Sequence, residues 1–397
     1  MRLSLTYQGI PIWRHSRILS WTAQIVSGIL VVAAVAFFFS NVTSAMVQRD
    51  IPFGFSFLNR EYSTPISEHL LPYQESDTFA YAFLVAATNT LMVSVVGVIL
   101  ATTLGIIVGA LQLSGNWVIG KVATVFVEVF RNVPLLVQLF FWYILLLGLP
   151  SVQQGGFVLF EAIYLNNNAG LSFPWPEGQQ QPGLWLLCVV LAVVVGIVTK
   201  ILLERREERT GRPSYPWLGA SGVFIAGSCV AWLVWVAIGD APYVMSVPHP
   251  EGRFGHPVGG YTISIELTAL LVGLIIYTAA FIAEIVRGGL QSVSRGQSEA
   301  SRSLGLGTMQ TLRFVTFPQA LRVIVPPLIS QYLNLTKNSS LALAIGYADL
   351  TSVAKTMTQT APAVTIFLII MGIYLLYSLT YSLIGNLYNR HIQFTGG

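Results

Sequence analysis

Apolar residues along this chain gather into long stretches that charges rarely interrupt. An uncharged run of roughly 18 residues is enough to cross a hydrocarbon layer of about 30 Å as a helix. Eight stretches approach or pass that length: Trp21 to Phe39, Ala80 to Leu113, Phe126 to Leu149, Leu184 to Thr199, Trp217 to Gly239, Tyr261 to Ala283, Pro318 to Thr336 and Pro362 to Ile384. The second is overlong, which predicts a tilted helix or one that begins outside the layer. The third carries Glu128 and Arg131 near its start, the sixth holds Glu266, and the seventh runs into Lys337. The pattern predicts an all-α membrane protein with about eight transmembrane helices. The first stretch follows Arg2, Arg14 and Arg17 and ends near Ser44 and Ala45, as a secretory signal would. Its run exceeds the roughly 7–15 residue core of a cleaved signal, so an uncleaved anchor helix is expected.

Composition narrows the class further. Of 397 residues 54% are hydrophobic and 10% charged, against about 25% charged in soluble domains. An ordinary cytosolic enzyme is thereby excluded, and so is disorder. The 21 basic and 17 acidic residues leave a net charge of +4, too few charges for a nucleic-acid surface, so their location carries the meaning. With the N-terminus inside and eight crossings, Arg49, Arg60, Arg253 and Lys355 are the basic residues left outside, while Arg131 and Lys337 fall within spans. Acids such as Asp50, Glu61, Glu68, Glu75 and Asp77 collect outside. Positive residues are retained on the cytoplasmic side, so both termini are predicted to be cytoplasmic. Cys188 and Cys229 lie within apolar runs, which offers neither a disulfide framework nor a zinc cluster. His249 and His256 sit in a Pro- and Gly-rich loop, Asp240 to Gly260. Without a third ligand at a recognisable spacing they predict a solvated turn and no metal site.

The chain divides unevenly. Residues 1–79 hold the anchor helix and an external segment, 80–150 a first apolar group, and 261–390 a second. Between them, 151–260 carries a loop rich in Asn, Gln, Gly and Pro (Gln153 to Pro182) and a helical hairpin around Glu204-Arg205-Arg206-Glu207-Glu208-Arg209, which reads as an insertion. Gly115-Asn116-Trp117-Val118-Ile119-Gly120-Lys121 fits seven positions of a phosphate-cradling loop, but Val122 replaces the hydroxyl residue that would ligate magnesium. Such a loop also needs a strand before it, whereas this turn joins two spans. No ATP site is expected in this chain.

Between the sixth and seventh spans, Ser294 to Thr308 alternates polar, small and apolar residues at helical spacing, with Gly305 placed where a helix stops on a left-handed residue. It predicts a short surface helix at about 294–310, and Phe317-Pro318 predicts a break before the next span. Taken alone, the segment is equally a solvated linker with a helical turn.

Here the sequence resembles the integral-membrane permease subunits of ABC importers, in the polar amino-acid branch. Their cytoplasmic signature of Glu-Ala-Ala, a Gly, and a later Ile-x-Leu-Pro is matched by Glu299-Ala300-Ser301, Gly305 and Val315-Thr316-Phe317-Pro318. Ser301 departs from the third Ala, and Val315 and Phe317 from Ile and Leu; small-for-small and apolar-for-apolar changes keep the helix and its docking intact. Glu128 to Gln138 is similar to the branch's Phe-Arg-Gly-Thr-Pro-Leu-Leu-Val-Gln stretch, as are Ala283-Glu284-Ile285-Val286-Arg287-Gly288-Gly289 and Lys337-Asn338-Ser339-Ser340-Leu341. The match covers roughly 80–150 and 260–390. The first span and hairpin lie outside it and match the longer permeases of general or acidic amino-acid systems. The resemblance implies a type I ABC importer permease core in the bacterial inner membrane, with an extra N-terminal helix and the inserted hairpin. It implies a second homologous permease subunit, an ATPase dimer that holds ATP and magnesium, an external solute-binding protein and an amino-acid substrate. It also implies that Glu299, Ala300, Arg302 and Gly305 couple to the ATPase, and that this chain holds no cofactor of its own.

A zwitterion needs acceptors for its ammonium and donors for its carboxylate, and ionisable residues within spans are candidates because keeping them there is costly. Glu128 and Arg131 share a helical face; they either neutralise each other or face a cavity. Pro134 disrupts the local ladder and frees a carbonyl, which adds Asn132 and Gln138 to the candidates. Glu284 and Arg287 have the same spacing at the cytoplasmic end and predict a structural pair. Lys337 either snorkels at the outer interface or, with Asn338, Ser339 and Ser340, marks a broken segment that lines the substrate path. An ion-driven secondary transporter or a membrane enzyme remains as an alternative. No internal repeat of span groups is evident for the first, and all five histidines fall outside the spans, which weighs against the second.

Overall fold

A computed structural model describes residues 6–7, 10–11, 16–151, 157–160, 162–167, 169–178, 183–210, 215–238, 243–251 and 256–393. Arg2, Arg14, Asp240, Arg253 and the loop pieces 153–156 and 179–182, which enter the reading above, lie outside them. The helices are α1 Ser16–Gln48, α2 Phe79–Leu111, α3 Trp117–Asn132, α4 Leu135–Leu147, α5 Gly183–Thr210, α6 Pro216–Ile238, α7 Ile265–Gln291, α8 Arg295–Ser303, α9 Thr308–Thr311, α10 Phe317–Asn338, α11 Leu350–Met357 and α12 Ala363–Gln393. Among the described residues seven helical segments are long and apolar enough to cross a membrane, or eight if one bent pair is counted as a span. The predicted third span is not one helix: α3 and α4 meet at an angle of 106°. Pro134 causes the bend, because it offers no N–H and drives Val133 into an extended conformation (φ −94°, ψ 130°).

The core is a seam between α2 and α7, which lie side by side in the same direction. Along α2 the residues Gly97, Ala101, Gly105 and Gly109 recur every fourth position, a stripe of small side chains that lets backbones approach closely. A Cβ at Gly105 would stand 2.6 Å from the Ile282 Cβ, and one at Gly109 2.6 Å from the Ala283 carbonyl oxygen. Helix α10 runs the other way across both, with Leu335 against Gly97 and Ile324 against Gly289. Leu270, Leu274, Ile282 and Leu335 are fully buried along these contacts.

At the start of α7 the expectation of a helix from Tyr261 is corrected. Tyr261–Ile263 is the edge of a four-stranded antiparallel sheet, followed in order by Gly170–Phe173, Ile163–Asn166 and Phe157–Leu159. Ser264 then caps the helix, its Oγ accepting from the Leu267 N–H at 3.1 Å. The anticipated break at Phe317-Pro318 is also corrected. A π-helical turn over Leu312–Thr316 leads straight into α10, with the Phe317 N–H donating to the Leu312 carbonyl, and Pro318 falls in the first turn of α10.

Candidate functional site: coupling turn and broken spans

Helix α8 forms where the sequence places it, and its end is a complete Schellman motif. The Leu306 N–H donates to the Ser301 carbonyl at 3.1 Å and the Gly305 N–H to the Arg302 carbonyl at 2.9 Å. Gly305 adopts φ +82°, and nothing lies within 4 Å of the position a Cβ would take. The turn is thus dictated by backbone conformation and not by crowding. Ser301, the departure from the third Ala, is buried and its Oγ stands 2.9 Å from Thr311 Oγ1 on α9, which ties the two helices together. Glu299, Ala300 and Arg302 are exposed on α8. Beyond them Leu304 is 83% exposed and Met309 74%, an apolar tip at a charged helix end.

At the opposite side of the bend, Gln138 is buried and its Nε2 donates to the Phe130 carbonyl at 2.9 Å and the Val133 carbonyl at 3.0 Å. These are acceptors that the interruption at Pro134 leaves without a helical donor. Asn132 Nδ2 donates to the Glu128 carbonyl at 2.7 Å, so its amide serves the same helix end. Glu128 and Arg131 are both exposed and no ion pair joins them, which excludes mutual neutralisation. Arg131 instead lies over the Phe281 ring, 5.2 Å from its centroid. Glu284 and Arg287 do form the structural pair expected of them, with Arg287 Nε donating to Glu284 Oε2 at 3.0 Å.

Lys337 is exposed and, among the described residues, has no ion-pair partner. Helix α10 ends just after it. Ser339–Ala344 forms a 3-10 turn, Gly346 turns the chain at φ +87°, and α11 follows. Ser339 Oγ donates to the Thr336 carbonyl at 2.7 Å and Ser340 Oγ to the Lys337 carbonyl at 2.7 Å, so both hydroxyls serve the helix end. Leu135 and Leu139 of α4 share a buried cluster with Ala342, Ile345 and Tyr347, which brings the two interrupted segments together against α7.

Several residues that hold this arrangement escaped the sequence reading. Asn89 Nδ2 donates to the Glu68 and Ala348 carbonyls at 2.7 and 3.0 Å, and Thr90 Oγ1 accepts from the Leu350 N–H at 3.0 Å. Asp349, fully buried, caps α11 by accepting from the Ser352 N–H at 2.8 Å. The available signals were an Asn-Thr pair inside an otherwise apolar stretch and the Asp-x-x-Ser spacing of an N-cap. Glu68, in the segment before α2, accepts from the Ser264 N–H at 2.6 Å; burial still raises its carboxyl above the usual range. The Gly115-to-Lys121 segment follows helix α2 and no strand, and Asn116 caps α3 through the Val118 and Ile119 N–H groups.

Comparison with known proteins decides the family. A putative amino-acid ABC transporter permease of Escherichia coli, YhdX, is 41% identical over 98% of this chain and 97% of its own. The chain belongs to the amino-acid ABC transporter permeases. Residues 220–393 match the family model described as a binding-protein-dependent transport system inner membrane component. The general L-amino acid transport system permease AapQ of Rhizobium johnstonii is 40% identical over 92% of this chain and 90% of its own. The glutamate/glutamine/aspartate/asparagine transport system permease BztB of Rhodobacter capsulatus is 37% identical over 95% and 94%. The permease is therefore a multi-pass inner-membrane translocation subunit. Its N-terminal helix and hairpin are shared with full-length relatives, since the alignments run through them.

Proposed function

We propose that this permease carries amino acids into the cytoplasm and that a separate pair of ATPase subunits drives it from the α8 turn. The names of its relatives favour a broad or acidic range of amino acids. A shorter homologous permease would complete the pore, and an external binding protein would deliver the substrate. ATP and magnesium would be held by the ATPase and not by this chain. Both termini, in this reading, face the cytoplasm.

The observation that carries the coupling is the glycine turn at Gly305, which leaves Glu299, Ala300, Arg302, Leu304 and Met309 exposed at one end of the bundle. An ATPase can move a pore only through contacts that differ between its two states. A rigid, locally bonded helix meets that need, because a push on α8 passes through the Ser301–Thr311 bond into α9 and α10. The substrate path runs, we suggest, past the interrupted segments, with Glu128, Arg131, Asn132, Gln138 and Lys337 to Ser340 as its polar groups.

The test is ATP hydrolysis by the complex in proteoliposomes, with the binding protein and a panel of amino acids presented outside. Stimulation by acidic or many amino acids supports the reading. Hydrolysis that no amino acid stimulates, alongside uptake that follows an ion gradient, overturns it.

A further inference from the structure

Residues 49–78, between α1 and α2, are fixed to the last two helices of the chain. Phe57 and Ile66 share a buried cluster with Leu350 and Val353 of α11 and Ile366 of α12. The start of α7 belongs to a different cluster, with α4 and Tyr347. Glu68 ties the first cluster to the second, because its Oε1 accepts from the Ser264 N–H at the cap of α7. Asn89 holds the Glu68 and Ala348 carbonyls with one amide, so Ala348, only 9% exposed, is kept close to the Glu68 backbone. A cavity of about 310 Å³ adjoins the tie, with Glu68, Thr262, Ser264 and Glu266 in its lining.

The other oxygen, Glu68 Oε2, is sealed from water and has no hydrogen-bond partner among the described residues. An ionised carboxylate there would leave half its charge desolvated and unpaired. The groups around it supply no counter-charge. Glu266, in the first turn of α7, is a second acid, and its Oε1 stands 3.5 Å from the Tyr143 hydroxyl. The buried Tyr347 hydroxyl lies within electrostatic reach of Glu68, and Asp349 and Tyr261 lie within reach of Tyr347. His69, next along the chain, is exposed with its ring against that of Tyr73. No lysine or arginine forms an ion pair with Glu68 or Glu266 among the described residues. Burial therefore raises the Glu68 carboxyl, Glu266 adds to the rise, and the Ser264 N–H and hydroxyl offset it only in part. We propose that Glu68 is the latch of an external gate: its protonated carboxyl holds Ser264 while the gate is shut, and loss of the proton to outside water through the adjoining cavity releases residues 49–78 from α7. The latch rests on the reading that amino acids enter from this side, but its pH behaviour is measured without transport, so either can fail alone.

The full chain, with Cys188 and Cys229 replaced by Ala, is given Ala348→Cys and purified in detergent. Its rate of reaction with a thiol reagent is divided by that of Phe160→Cys, a fully open site, and the ratio is compared with and without Glu68→Gln. Glutamine keeps the acceptor for Ser264 and cannot ionise. With Glu68 the ratio should rise roughly threefold or more between about pH 5 and about pH 8, whereas with Glu68→Gln it should stay low. Melting gives a second readout. Because the folded state raises the Glu68 carboxyl, the stability it contributes is whole below the ordinary value of 4.5 and fades as pH climbs through the raised one. Glu68→Gln should therefore melt above the parent chain at about pH 8 and no higher than it at about pH 5. An equal rise of the ratio in both backgrounds, or no rise with Glu68, overturns the latch. So does a Glu68→Gln chain that melts below its parent at the higher pH, since the ionised carboxylate would then be the form that the fold uses.

Discussion

At the scale of single residues, Gln138 shows how a break in a span is made tolerable. One side chain replaces two donors for the Phe130 and Val133 carbonyls, both of which would otherwise be left without a bond in a water-poor setting. Gln138→Leu keeps the bulk and removes the donors, at a cost of about 1–3 kcal/mol for a buried polar group left unpaired. A lower thermal midpoint for the solubilised chain is the expected result; an unchanged midpoint would mean that water or a partner subunit serves those carbonyls. Lys337 presents the contrary case. Among the described residues it has no ion-pair partner to orphan, so Lys337→Met should leave insertion and assembly intact while lowering uptake at limiting substrate. Wild-type uptake by that variant would identify Lys337 as a snorkelling residue with no part in the path.

At the scale of elements, two glycines test two kinds of constraint. Gly105 is crowded: even a methyl group would meet the Ile282 Cβ, which no rotamer change can move. Gly105→Leu should therefore destabilise the α2–α7 seam by about 1–3 kcal/mol, whereas Gly288→Ala on the same α7, with open space around it, should be near neutral. Comparative melting of the two variants decides the matter. Gly305 is constrained by its positive φ alone. Gly305→Val should leave the permease inserted yet weaken ATPase pull-down and abolish uptake, and Gly305→Asn, which tolerates the left-handed region, should retain much of both. Normal pull-down and transport by Gly305→Val would make α8 a mere linker. What the sequence made legible here follows from these same forces. The long apolar stretches announced the helices, and a glycine after a polar helix announced the α8 turn. Pro134 was legible as a disruption of the helix ladder, but the 106° change of direction was not, because hydropathy does not register direction. The strand at Tyr261–Ile263 stayed hidden because aromatic and β-branched residues continue an apolar run without a change of character.

For the whole molecule, orientation is the property left to charge placement. Phe160 is 87% exposed beside the four-stranded sheet. With Cys188 and Cys229 replaced by Ala, a cysteine at Phe160 should react with an impermeant reagent in intact cells, while tags at both termini should be reached only after lysis. Labelling of that cysteine only after lysis would invert the topology. The polar groups of the candidate path were legible as residue types, but their duties were not. Asn132, Ser339 and Ser340 spend hydrogen-bonding capacity on their own helix ends and Gln138 on the end of the preceding α3, local uses that spacing alone does not disclose.

The α2–α7 seam has a bearing on the order in which the chain is made. Ile282 leaves the ribosome only after the bend, the sheet strands and the whole α5–α6 hairpin have followed Gly105. At about 5–20 residues per second, the glycine stripe of α2 waits on the order of ten seconds or more for its partner. During that interval its close-packing face meets only lipid or the translocation machinery. Any factor that shields small-residue faces during synthesis would act on this helix first.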